Sequence, residues 1–70
     1  SPEDTAEEVD NKVLEYLQNG TQLVWIVHPR TQTITVYRSF DKVRVLTSQD
    51  TLDGDDVLPG FAVTVKEIFE

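Results

Sequence analysis

The side chains in this sequence that could do chemistry are few. His28 is the only histidine, and there is no cysteine. A lone histidine without a cysteine or carboxylate at ligand spacing is poor material for a metal centre or a nucleophilic site. The plainer reading is a strand-end residue beside a turn. Asp50, Asp53, Asp55 and Asp56 fall in one short stretch, and clustered carboxylates can hold a hard cation such as calcium. The spacing is not that of an EF-hand loop: Leu52 stands where an acidic ligand is needed, and no glutamate follows at the required distance. An Asp-Gly turn kept in water by its charges accounts for the same residues. Arg38, Lys42 and Arg44 could contact phosphate, or could serve as edge-strand charges that discourage aggregation. Lys12 follows Glu8 by four residues, the spacing of a surface helical pair worth about 0.2 to 0.5 kcal/mol. It also flanks the apolar stripe of its helix beside Tyr16, where an ammonium could reach over the edge of a sheet.

These groups must be positioned by a small α+β framework. Ser1-Pro2-Glu3-Asp4 reads as a helix start, with Ser1 as cap and Pro2 at the first helical position. Ala6, Val9, Val13, Tyr16 and Leu17 recur every three or four residues, and Gly20 supplies a left-handed stop, so a helix is expected over 3–18. Gln22 to His28 is a strand bounded by Gly20 and Pro29. Leu23, Trp25 and Val27 share one of its faces, and Val24 and Ile26 the other. Because both faces are apolar, this strand is expected to lie deepest, with Trp25 against the helix. Thr33 to Arg38 alternates with period two, and Val43 to Thr47 gives a third strand. Short loops between the three predict an antiparallel meander. Ser48 to Asp56 reads as a polar loop, Val57 to Phe61 as an apolar turn, Ala62 to Val65 as a short strand, and Lys66 to Glu70 as a terminal helical turn.

Composition narrows the function classes. Seventy residues make one small domain or a C-terminal fragment of a larger one, and a chain of about 60 residues buries only about 60% of its unfolded surface. The absence of cysteine points to a reducing compartment, so the expected location is cytoplasmic. No apolar run is long enough to span a membrane, and no signal-peptide pattern is present. Thirteen acidic residues against six basic ones give a net charge of −7, which opposes tight nucleic-acid binding by the chain alone. The middle is nevertheless locally basic: between His28 and Arg44, Arg30, Arg38, Lys42 and Arg44 face only Asp41. The spare apolar face of the 22–28 strand predicts either a homo-oligomer or a cap formed by Phe61 to Phe69.

Several stretches, taken in order, carry a resemblance. They are Ser1-Pro2, Lys12-Val13-Leu14-Glu15-Tyr16-Leu17, Gly20, Leu23-Val24-Trp25-Ile26-Val27 followed by Pro29, Thr35-Val36-Tyr37-Arg38, and Thr51-Leu52-Asp53-Gly54-Asp55-Asp56-Val57-Leu58-Pro59-Gly60-Phe61. Together they resemble the C-terminal part of the Uma-type family of bacterial restriction endonucleases, within the PD-(D/E)XK nuclease superfamily. The resemblance implies a partial PD-(D/E)XK nuclease-like core, DNA as the substrate of the intact protein, and a divalent metal, magnesium, as its cofactor. In that family the metal-binding carboxylates lie just before a Ser-Pro that Ser1 and Pro2 match. The resemblance therefore implies that the carboxylates lie upstream and that this chain is inert alone. It also implies that Lys12, on the helix, matches the catalytic lysine, which makes Lys12 the single catalytic candidate. His28 departs from the pattern, since the family carries an acidic residue before this proline. From a different class, the same sequence could be a free-standing, non-enzymatic dimerisation module.

Overall fold

A computed structural model describes residues 5–70. Thr5 is extended (φ −75°, ψ 163°), and its hydroxyl accepts the Glu8 backbone N–H at 3.2 Å. It thereby caps helix α1 (Ala6–Gln18), satisfying one of the N–H groups left without an intrahelical partner. The helix thus begins later than the expected 3–18, with Thr5 in the capping role. The proposed Ser1-Pro2-Glu3-Asp4 start lies outside the described residues. The other end closes as expected on Gly20 (φ +93°). The Thr21 N–H donates to the Tyr16 carbonyl (3.0 Å) and the Gly20 N–H to that of Leu17 (3.3 Å), a Schellman arrangement that needs a residue with free access to positive φ.

Strands β1 (Val24–His28), β2 (Thr33–Ser39) and β3 (Lys42–Leu46) form the antiparallel meander, in spatial order β1-β2-β3. The central strand is therefore β2. The expectation that the 22–28 strand lies deepest is corrected: two successive hairpins leave the strand they share in the middle. Ile34 of β2 is fully buried, whereas Val27 of β1 is 48% exposed. A bulge at Arg38 shifts the β2–β3 register between Tyr37 and Ser39.

Residues 48–56 are not all loop. Thr51–Gly54 forms β4, which pairs antiparallel with β5 (Leu58–Thr64) as a separate two-stranded sheet. Leu52 points inward while Thr51 and Asp53 remain exposed, a period-two pattern masked by the acidic composition of the stretch. Thr64 then caps the short helix α2 (Val65–Ile68), its hydroxyl accepting from the Glu67 N–H at 3.3 Å.

The register divides the side chains between two layers. Trp25, Val36 and Arg44 lie in one cross-strand row, and Val27, Ile34 and Leu46 in the next, on the same face. The main core forms there: Ile34, Leu46, Leu52 and Val65 are buried together, with Trp25, Val36, Val63 and Phe69 packed around them. Burying aliphatic side chains in this way is worth about 1.5 to 3 kcal/mol each. Trp25 stacks on Phe61, ring centroids 5.4 Å apart and tilted by 32°. Trp25 therefore packs against the β4–β5 hairpin, and the expected placement against the N-terminal helix is corrected. Helix α1 contacts β1, and Ala6, Val9 and Asp10 line a groove with Ile26, Thr35 and Tyr37 of the other face. The face expected to be spare is thus partly covered by the helix. Phe61 covers the opposite one.

Candidate functional site

Lys12 sits in the second turn of α1, exposed, immediately before the buried Val13. The helix is held at its N-terminus by the Thr5 cap and along its inner side by packing near β1. This places Lys12 on an exposed flank of the helix, its ammonium carried on a four-carbon stem.

The groove between α1 and the sheet has a volume of about 450 Å³ and is bordered by Ala6, Val9, Asp10, Ile26, Val27, His28, Thr35 and Tyr37. His28 Nε2 lies 3.0 Å from the Thr35 hydroxyl on the neighbouring strand. That cross-strand hydrogen bond accounts for the histidine as a strand-end residue, in line with its plainer reading.

The acidic stretch 50–56 distributes its carboxylates among different partners. Asp50 Oδ2 accepts the Thr47 backbone N–H (2.7 Å) and its hydroxyl (3.1 Å), closing the turn after β3. Those bonds, the backbone one first, hold the Asp50 carboxyl below the usual range. Asp53 Oδ1 accepts the Asp55 N–H at 3.0 Å, in an Asx turn that carries Asp55 at φ +55°. Asp56 Oδ1 accepts from Arg38 Nη1 at 2.8 Å, and Asp55 Oδ2 lies 3.5 Å from the same nitrogen. The hydrogen bond from Arg38 lowers the Asp56 pKa, and the same bond raises that of Arg38. Among the described residues, no group of three His, Cys, Asp or Glu is placed to hold a metal ion. The acids that could do so are turned toward backbone amides and a guanidinium, so the described residues alone do not fit the metal that the resemblance implies.

Of the basic trio, Arg38 and Arg44 border the same cleft. It has a volume of about 230 Å³ and lies between the meander and the β4–β5 hairpin, lined also by Thr51, Asp53 and Asp55. Neither the Arg38–Asp56 bond nor the Trp25–Phe61 stack is anticipated by the pattern reading. The signal for the first was the coincidence of a basic middle and an acidic Asp-Gly turn. The signal for the second was the alternation of Thr51-Leu52-Asp53 opposite Ala62-Val63-Thr64.

No helix among the described residues is long and apolar enough to cross a membrane. A family model described as "Putative restriction endonuclease" (Uma2) matches residues 1–66. No curated protein matches the chain.

Proposed function

The chain belongs to the Uma2 family of restriction-endonuclease-like proteins, and from that premise we propose that it supplies part of the working core of a DNA-cleaving, metal-dependent endonuclease. The match over residues 1–66, which includes the whole of α1, carries this reading. Lys12 is the residue this chain contributes to the chemistry. Phosphodiester cleavage gathers negative charge on the oxygens of the attacked phosphate, and an ammonium held beside them offsets that charge. A divalent metal, held by residues other than the described ones, would supply an activated water and charge compensation. Its carboxylate ligands are assigned to chain outside these 70 residues, and the isolated chain is inert. Lys12 itself needs only to reach the phosphate, which an exposed lysine on the flank of α1 can do.

The test is Lys12→Ala in the full-length protein, with cleavage and melting measured together. Removing one such donor costs about 2.7 to 4 kcal/mol of barrier, so cleavage falls roughly a hundredfold to a thousandfold, while the melting temperature barely moves. Unchanged cleavage by a protein that does cleave would return Lys12 to the surface.

A dimerisation module remains the second reading because of one observation. Val43 and Val45 of β3 are 43% and 61% exposed on the face that α1 covers only in part. Sedimentation at several concentrations separates the readings: this one requires a dimer that Val45→Lys dissociates. A concentration-independent monomer rules it out.

A further inference from the structure

Arg38 and Arg44 are turned toward one cleft from adjacent strands. Arg44 pairs across the sheet with Val36, and Arg38 lies two residues beyond Val36, at the bulge. A guanidinium bordering a cleft favours an anion beside it. The turn joining β4 to β5 provides it: Asp56 and Asp55 both address Arg38 Nη1. The two carboxylates are 77% and 60% exposed, and ion pairs in water hold weakly and exchange partners readily. A phosphodiester offers the same kind of anionic oxygens, in a geometry that a guanidinium fork grips with two parallel bonds. The acidic turn occupies the place such oxygens would take.

We propose that the Asp53–Asp56 turn is a built-in stand-in for phosphate, masking Arg38, and that the nucleic-acid backbone binds the cleft Arg38 shares with Arg44 by displacing Asp55 and Asp56 from Arg38. The proposal rests on the nuclease reading only in taking nucleic acid as the source of the phosphate. It explains how a chain of net charge −7 can carry a phosphate-binding arginine. Arg38 is neutralised internally until a polyanion competes for it.

The test measures binding of a labelled mixed-sequence DNA duplex by the 70-residue chain across a salt series, so that cleavage does not enter. Asp55→Asn with Asp56→Asn keeps a residue type that tolerates positive φ at position 55. It leaves Arg38 to the phosphate. The slope of log affinity against log salt then steepens by about 0.9 for each further phosphate neutralised, and binding tightens. Glu67→Gln with Glu70→Gln changes net charge equally from exposed positions at the C-terminus and gives a smaller gain. Arg38→Ala does little in the parent but removes the gain when combined with Asp55→Asn and Asp56→Asn, while melting curves confirm that each variant is folded. An equal gain in the glutamine control, a gain that survives Arg38→Ala, or no gain at all overturns the proposal. None of those outcomes bears on the Lys12 cleavage test, so the two readings fail separately.

Discussion

Replacing Trp25 with alanine tests the layering of the whole molecule. Its ring is stacked on Phe61 at 5.4 Å and borders the cluster of Ile34, Leu46, Leu52 and Val65. Truncating a large aromatic in a core costs about 3 to 5 kcal/mol; Trp25 is only half-buried, so the lower end, about 3 kcal/mol, applies. Against an expected total of roughly 4 to 10 kcal/mol for a chain of this length, that is a large share. At about 4 to 8 °C per kcal/mol, the melting temperature falls by roughly 12 °C or more. The location of the loss is the sharper test. In a double-mutant cycle, Trp25→Ala and Phe61→Ala couple by about 0.5 to 1.5 kcal/mol, the range for a stacked aromatic pair. Trp25→Ala and Val13→Ala, on opposite layers, add to within about 0.5 kcal/mol. Thermal and urea unfolding followed by circular dichroism supply all the values. Coupling to Val13 with none to Phe61 would put Trp25 under the helix and refute the two-layer arrangement, as would a Trp25→Ala variant that melts within a few degrees of the parent.

Gly54→Ala should be severely destabilising, because an added Cβ would lie on the Leu58 carbonyl and Cβ, whereas alanine at Gly60 meets only the strain of φ +84°; unfolding curves of the two variants are expected in that order. Stability should decline on the acid side. The carboxyls of Asp50 and Asp56 are lowered in the folded state, so what they contribute is present above the ordinary carboxylate range and is lost as pH falls through their folded values. Asp50→Asn should flatten that acid limb in a series of melts from about pH 7 to about pH 2, and an unchanged limb would show that the Thr47 turn contributes nothing to it.

Much of this fold was legible because its periodicities are local. The α1 stripe, the Gly20 stop and the three meander strands each follow from short-range spacing, and each stands close to where it is expected. The layering was not legible, because alternation tells which side chains share a face but not what covers that face. Trp25 and Ile26 are equally apolar neighbours. Only the position of the β4–β5 hairpin assigns one to Phe61 and leaves the other beside the helix. That hairpin was hidden in turn, because four aspartates between Asp50 and Asp56 carry a turn signal that outweighs the single inward Leu52. For Lys12, periodicity placed the residue on the flank of its helix, and the family relationship, not the spacing, makes it a catalytic candidate.

The buried cluster at the centre of the molecule draws on β2, β3, β4 and α2 but on no residue of α1. The helix is attached through a separate contact, with Val13 as its one buried side chain and β1, an outer strand, beneath it. Such an arrangement gives the chain two tiers of protection against opening. The amides of β2 should exchange with solvent only through global unfolding, while those of α1 exchange through a cheaper detachment that leaves the sheets intact. Lys12 rides on the looser tier. Its average position is therefore set less by the buried cluster than by the contact of α1 with β1.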